Sequence, residues 1–185
     1  FETFKINFKK ADDILNYQLS KIILEGPDDK LNLTENTQPA IFLISYSIFE
    51  VIKNEFKINL NEAKYFAGHS LGEYSALCCA ETITFEQTIN LLKRRGVAMQ
   101  NALPSGDGGM VAILGQTIDE VNNILNENNK KFICYIANDN SNGQMVLSGK
   151  IKDLELLNDI LKKKNIKFVN LPVSAPFHCP LMKNA

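Results

Sequence analysis

The segment Gly68-His69-Ser70-Leu71-Gly72 places a serine between two glycines, after a short apolar run and before a helix-forming run. In such a strand–turn–helix pattern the serine sits on a sharp turn that projects its Oγ from the sheet edge. The glycines remove side chains that would clash where strand and helix nearly touch, and helix N-terminal N–H groups can stabilise an oxyanion. We therefore predict that Ser70 is an activated nucleophile that carries an acyl group, with the backbone N–H of Leu71 as an oxyanion donor.

A serine hydroxyl needs a general base, and the chain contains two histidines, His69 and His178. A neighbour of the serine in this kind of turn points elsewhere, so we expect His69 to have a packing or hydrogen-bonding role. His178 lies in a proline-rich loop, 174–180, after a predicted strand, and catalytic groups commonly lie on such loops. We predict that His178 is the base; the alternative is an ordinary surface histidine.

The third member of a Ser-His-Asp triad is not evident in this sequence. Hydrolases with this serine motif place the acid ahead of the histidine along the chain, yet no acidic residue lies between Asp159 and His178. The third group is therefore absent, a carbonyl, or located beyond Ala185. This argues against an ordinary hydrolase.

Hydrophobic periodicity and turn signals predict the elements that position these residues. Helices are predicted at 11–24, 37–56, 71–80, 84–103, 117–128 and 152–164, and strands at 64–68, 110–114, 132–137, 144–148 and 167–171. A Thr-x-x-Gln capping box, Thr84 to Gln87, opens the fourth helix. After Gly106 the order is β-α-β-β-α-β, which is typical of a ferredoxin-like unit. We predict an α/β fold with a hydrolase-like parallel-sheet core, 1–105 and 173–185, and an inserted ferredoxin-like α+β subdomain, 106–172.

The composition of the chain limits the classes of molecule that we expect it to bind. The chain has 185 residues, 45% of them hydrophobic and 22% charged, with a net charge of −1, which is typical of a globular protein that can bury a core. It has no basic stripe and no run of 18 apolar residues, so we expect neither a nucleic-acid nor a membrane partner. The four cysteines have neither zinc-site nor disulfide spacing, so we expect no metal and predict packing roles for Cys78 and Cys79. Because the chain starts at Phe1 without a Met and stops at Ala185, we expect a fragment cut at both ends.

Several stretches together resemble the malonyl-CoA:acyl-carrier-protein transacylase family of fatty-acid and polyketide synthesis. The extended serine signature from Gly68 to Leu77 and the histidine loop from Pro172 to His178 are specific together. Less specific matches are Leu33 to Ala40, Arg94-Arg95-Gly96 with Met99-Gln100, and Asn138 to Gln144.

The resemblance implies that Ser70 takes a malonyl group from malonyl-CoA, with His178 as base, and passes it to the phosphopantetheine thiol of acyl carrier protein. It implies that Arg95 binds the malonyl carboxylate, since a planar guanidinium binds a carboxylate bidentately and is left unpaired by neutral acyl groups. The alternative is a helix-surface arginine, the role we expect for Arg94. An aromatic residue at Phe177 accompanies malonyl specificity in polyketide members of the family; the alternative is loop packing.

The resemblance further implies that no cofactor is needed, because malonyl-CoA is a substrate, and that acyl carrier protein is the partner. We expect a monomeric, cytoplasmic enzyme; it is either a stand-alone protein, which the sequence favours, or one domain of a synthase. A second oxyanion donor is expected before Phe1, and a glutamine that orients the histidine is expected beyond Ala185. Two other functions stay open: a serine hydrolase such as a thioesterase with the same serine turn, and a non-catalytic scaffold.

Overall fold

The computed structural model describes residues 1–104, 106–173 and 175–185. They form two compact units, Phe1–Val97 and Ala98–Ala185, and the boundary falls within a helix. The described part of the first unit is helical, and the second unit contains a four-stranded antiparallel sheet. The chain is thus a mixed α/β protein with a small antiparallel sheet. The predicted division into a core, 1–105 and 173–185, and an insert, 106–172, stays a prediction.

Six helices account for most of the first unit. They are α1 (Glu2–Leu15), α2 (Leu19–Glu25), α3 (Asp28–Leu31), α4 (Thr34–Asn54), α5 (Leu71–Cys79) and α6 (Phe85–Gln100), with a 3-10 turn at Leu60–Glu62. The structure confirms the predicted helices at 37–56, 71–80 and 84–103, with ends that differ by up to three residues. Among the helices described, none has the length and apolar character needed to cross a bilayer.

The single helix predicted at 11–24 is wrong. The structure has two helices here, and Asn16, with φ 56° and ψ 29°, ends α1 in the left-handed conformation. Asparagine adopts this conformation more readily than most residues, so the chain can turn there. Helix α1 also begins earlier, at Glu2. Helix α2 ends at Glu25, just ahead of the Gly26-Pro27 stop signal.

The helices of the first unit share one apolar core. Phe42 of α4 is fully buried, and its ring centroid lies 5.3 Å from that of Phe85 at the start of α6. Burial of a side chain this large contributes about 1.5–3 kcal/mol. The buried members of the core are Ala11, Leu19, Ala40, Phe42, Leu43, Cys78, Phe85, Ile89 and Leu92. The core therefore fixes α5, which follows Ser70, and α6, which carries Arg95, against α4.

The buried strand predicted at 64–68 is also wrong. Segment 64–68 has no regular secondary structure and is exposed, with Tyr65 88% and Phe66 39% accessible. A strand requires a neighbour for its backbone N–H and C=O groups, and none of the described residues pairs with this segment as a strand. The apolar run therefore predicted neither the structure nor the surroundings of this segment.

The second unit has the predicted β-α-β-β-α-β order. Its elements are β1 (Gly108–Leu114), α7 (Ile118–Glu127), β2 (Cys134–Ser141), β3 (Gln144–Lys150), α8 (Ile151–Lys163) and β4 (Lys167–Asn170), followed by a 3-10 turn at Pro180–Met182. The strand order is β2-β3-β1-β4, and the pairs β1–β3, β1–β4 and β2–β3 are all antiparallel. This is the connectivity of a ferredoxin-like unit. The parallel-sheet core predicted for the rest of the protein is not found among the described residues.

Side-chain alternation divides this sheet into two buried faces. One face carries Val111, Ile113, Met145 and Leu147 and packs against apolar residues of α7 and α8. The opposite face carries Met110, Ala112 and Val146, against which Leu171, Val173 and Phe177 pack. The segment that leads to His178 therefore packs on the sheet face opposite to the one that α7 and α8 cover.

Candidate active site

Ser70 is the residue that immediately precedes α5. Its φ of 53° and ψ of −113° form a backbone conformation that non-glycine residues rarely adopt, at a cost of about 1–3 kcal/mol. Two backbone hydrogen bonds close the turn: Gly72 N–H donates to the His69 carbonyl at 2.9 Å, and Glu73 N–H donates to the Ser70 carbonyl at 3.2 Å. The predicted sharp turn at Ser70 is therefore present. Strain of this kind is concentrated at functional sites.

The two glycines of the motif have different roles. A Cβ on Gly68 would lie 1.9 Å from the Gly72 carbonyl oxygen and 2.4 Å from the Glu73 nitrogen. A Cβ on Gly72 would meet no described atom within 4 Å. The prediction that both glycines avoid a clash is thus confirmed for Gly68 and wrong for Gly72. Among the described atoms, it is Gly68 rather than Gly72 that permits the close approach of segment 64–68 to α5.

Leu71 is the first residue of α5, and its side chain packs against the core of the first unit. The first N–H groups of an α-helix have no acceptor within the helix, and the helix dipole is positive at this end. The predicted role of the Leu71 N–H as an oxyanion donor is consistent with this position and stays a prediction.

Arg95 of α6 contacts Ser70 directly. Its Nη2 donates to Ser70 Oγ at 3.1 Å, and its Nη1 donates to Gln38 Oε1 at 2.5 Å. The guanidinium carbon lies 5.7 Å from the centroid of the Tyr74 ring. A cation at this distance from the hydroxyl favours negative charge on Oγ and attracts an anionic group attached there. Arg94, by contrast, is exposed, as predicted.

Close packing of two helices brings Arg95 to this place. The residue after it, Gly96, lies against the first turn of α4, where a Cβ would be 2.6 Å from the Glu35 Cα and 2.7 Å from the Thr34 carbonyl oxygen. Helix α6 can therefore approach α4 only because a glycine stands at this position.

Gln38 is a site residue in the stretch Leu33 to Ala40 for which no role was predicted. It is only 2% exposed, and its Nε2 donates to Thr34 Oγ1 at 2.9 Å while its Oε1 accepts from Arg95. This chain of hydrogen bonds orients the guanidinium. In the sequence, Gln38 is a polar residue within the apolar stretch that opens α4. A polar residue buried in such a stretch is an indication of a specific role.

His178 and Phe177 belong to the second unit. His178 is exposed and has φ 57°, a left-handed conformation that is uncommon for residues other than glycine. Phe177 is half-buried against the sheet. The predicted pairing of His178 with Ser70 joins residues of two units and stays a prediction. Ser174 of the same loop lies outside the described residues, as does Ser105.

The four cysteines are buried or half-buried in the structure. No group of three or more His, Cys, Asp or Glu side chains in the part of the chain that the structure describes could hold a metal ion. Burial raises the pKa of the Cys79 thiol to about 11 and that of Cys134 to about 12, so both are protonated at neutral pH. Cys78 is 5% exposed within the core of the first unit, and its predicted packing role is confirmed.

Comparison with known proteins assigns the family. The family model described as acyl transferase domain matches residues 3–185. The chain belongs to this acyl transferase family. The malonyl CoA-acyl carrier protein transacylase of Haemophilus influenzae is 40% identical over 179 residues, covering 96% of this chain and 57% of the relative. The protein of that name from Bacillus subtilis is 38% identical over 180 residues, covering 96% and 56%. The predicted family resemblance is thus confirmed.

Solved structures of the acyl transferase family agree with the described fold. An acyl-carrier-protein-S-malonyltransferase from Bartonella henselae matches with a TM-score of 0.90 and 43% identity, over 98% of this chain and 58% of that one. A malonyl-transacylase in complex with its type II PKS acyl-carrier protein matches with a TM-score of 0.91 and 38% identity, over 100% and 59%. This chain therefore spans a little more than half the length of the relatives it matches.

Proposed function

We propose that the protein transfers a malonyl group from malonyl-CoA to the phosphopantetheine thiol of an acyl carrier protein, through a malonyl ester on Ser70. The observation that carries this proposal is the 3.1 Å contact between Arg95 Nη2 and Ser70 Oγ. A cation beside the nucleophile suits an acyl group that ends in a carboxylate. The names of the relatives support the same reaction.

The chemistry proceeds in two half-reactions. His178 accepts the proton of Ser70 as Oγ attacks the thioester carbonyl, and the Leu71 N–H stabilises the oxyanion. The carbon–sulfur bond then breaks, and the CoA sulfur leaves with the proton from His178. In the second half-reaction His178 accepts the proton of the phosphopantetheine thiol, whose sulfur attacks the ester. Ser70 Oγ leaves and recovers that proton, so no proton or electron is gained or lost overall.

Arg95 provides the selectivity. Its guanidinium is planar and is oriented by Gln38, so it can present two N–H groups to a carboxylate. Hydrogen bonds to charged groups contribute about 1.5–3 kcal/mol. A factor of ten in rate corresponds to about 1.4 kcal/mol, so loss of Arg95 should cost malonyl transfer about 10- to 150-fold. The aromatic side chain of Phe177 supports malonyl over methylmalonyl by resemblance to the polyketide members of the family.

The remaining expectations complete the proposal. The whole protein has a hydrolase-like parallel-sheet core that includes 1–105 and 173–185, with 106–172 as the ferredoxin-like insert. It works as a cytoplasmic monomer, requires no cofactor, and takes malonyl-CoA and acyl carrier protein as its substrates.

Substitution of Arg95 tests the proposal, with its exposed neighbour as a matched control. Arg95→Ala in the intact protein should lower malonyl transfer about 10- to 150-fold and leave acetyl transfer within about threefold of the parent. Arg94→Ala on the same helix should change neither rate. Malonyl preference that survives Arg95→Ala contradicts the proposal. Release of free malonate, with no malonyl carrier protein formed, identifies the hydrolase alternative.

A further inference from the structure

The sheet face that carries the histidine loop contains one hydroxyl among apolar side chains. Met110, Ala112 and Val146 form the apolar part of this face. In the register of β1 and β3, Ala112 pairs with Val146 and Met110 pairs with Ser148. Alternation along β3 places Ser148 on the same face as Val146. A buried serine in this position requires an explanation, because an apolar side chain would serve packing equally well.

The hydrogen bond of Ser148 provides that explanation. Ser148 is fully buried, and its Oγ donates to the backbone carbonyl oxygen of Phe177 at 2.6 Å. Burial of a hydroxyl without a partner is costly, and this bond offsets the cost. The acceptor belongs to the peptide group that joins Phe177 to His178. This hydrogen bond therefore connects β3 directly to the peptide group that precedes the His178 side chain.

The backbone at His178 needs such a restraint. Its φ of 57° is uncommon for a non-glycine residue and persists only where the surroundings hold it. The Phe177–His178 peptide plane determines this φ, and Ser148 fixes the carbonyl side of that plane. Rotation of the Phe177–His178 peptide plane would break the Ser148 hydrogen bond and change the direction in which the imidazole points.

A second contact restrains the same loop from β1. The ring of Pro176 lies so close to Gly108 that a Cβ there would be 2.3 Å from Pro176 Cδ and 2.6 Å from Cγ. Pro176 is buried, and Phe177 N–H donates to the Ala175 carbonyl at 3.1 Å. The loop is therefore clamped at two points, by Gly108 of β1 and by Ser148 of β3.

We propose that Ser148 is a positioning residue for the base, which it serves by fixing the Phe177–His178 peptide. The small antiparallel sheet thereby acts as the scaffold of the general base. The inference rests on the proposed function, in which His178 accepts the proton of Ser70.

The test measures acylation and transfer rates per reactive serine in the intact protein, with reactive serines counted by covalent labelling of Ser70. Ser148→Ala should lower kcat about tenfold and leave the KM for malonyl-CoA within about twofold. The loss should be equal for malonyl and acetyl groups, because the base serves both. Ser148→Thr retains the hydroxyl and should restore most of kcat.

Three further variants serve as controls for the result. Ser47→Ala removes another fully buried hydroxyl, which is bonded to Asn7 in the first unit, and controls for a loss of stability without a loss of rate. Gly108→Ala pushes on the loop from β1 and should reproduce the fall in kcat at constant KM. Parental kcat in Ser148→Ala overturns the inference, provided that His178→Ala is inactive. Full activity of His178→Ala overturns the proposed function instead.

Discussion

Substitution of Gly68 by alanine should lower activity and stability, whereas the same substitution of Gly72 should change neither. In Gly68→Ala the new Cβ would lie 1.9 Å from the Gly72 carbonyl oxygen, whereas ordinary contacts begin at 3.4 Å. The start of α5 must therefore move by about 1.5 Å (3.4 − 1.9), since the atoms it meets are backbone. A displacement of about 1 Å can cost about 100-fold in rate, and overpacking typically costs about 1–3 kcal/mol of stability. In Gly72→Ala the Cβ would meet no described atom within 4 Å, so the free energy of unfolding should stay within about 0.5 kcal/mol of the parent.

Labelling of Ser70 by an organophosphonate, with thermal unfolding of the same samples, measures both effects. Gly68→Ala should lower the labelling rate about 100-fold or more and lower Tm. Gly72→Ala should label at the parental rate. Parental labelling of Gly68→Ala, or equal losses in the two variants, would refute the reasoning that Gly68 rather than Gly72 permits the approach of segment 64–68 to α5.

Three further perturbations address the neighbourhood of the site and the stability of each unit. Gln38→Ala removes the acceptor that orients Arg95 and should lower the preference for malonyl over acetyl about tenfold in a competition assay; an unchanged preference contradicts the orienting role. Thr84→Ala removes the side-chain acceptor of the Gln87 N–H at the start of α6 and should cost about 1 kcal/mol in denaturant unfolding, and no loss would contradict the cap. Burial, then the negative charges of Asp153 and Cys179, raise the pKa of Cys134 from 9.0 to about 12. Below pH 9 both folded and unfolded chains hold this proton; between pH 9 and about 12 only the unfolded chain releases it, so stability should fall as pH rises through this range. Cys134→Ala should lessen that fall in stability. An identical pH dependence of stability in the variant and the parent would contradict the raised pKa of Cys134.

Patterns confined to a short stretch of sequence predicted their structures well. The capping box at Thr84 is present, with Thr84 N–H donating to Gln87 Oε1 at 2.9 Å and Gln87 N–H donating to Thr84 Oγ1 at 3.1 Å. The alternating and amphipathic patterns after Gly106 predicted a ferredoxin-like unit, and the structure has that order of elements and that strand pairing. In each case the residues that determine the structure lie within a few positions of one another.

Features that depend on partners remote in sequence were missed. Segment 64–68 has the composition of a buried strand, but burial depends on what packs against it, which the segment does not encode. Gln38 and Arg95 are 57 positions apart, and their contact follows from the packing of Gly96 on α4. The break at Asn16 was missed because the apolar spacing continues through it.

The site shows the same division. The serine motif predicted the strained turn at Ser70, because the turn is local. The family resemblance predicted that Arg95 binds the malonyl carboxylate, but it did not predict the contact of Arg95 with Ser70 Oγ, since that contact depends on packing between segments remote in sequence. Ser148 had no local signal beyond a polar residue in an apolar strand, and its acceptor, Phe177, lies 29 positions later.

The central claim is that Ser70 carries a malonyl group. The most direct test mixes the intact protein with malonyl-CoA, methylmalonyl-CoA and acetyl-CoA together, followed by intact mass measurement and peptide mapping. We predict an adduct of about 86 Da, confined to the peptide that contains Ser70 and discharged by acyl carrier protein bearing phosphopantetheine. An adduct on a different residue, a predominant acetyl adduct, or an unmodified protein would contradict the account.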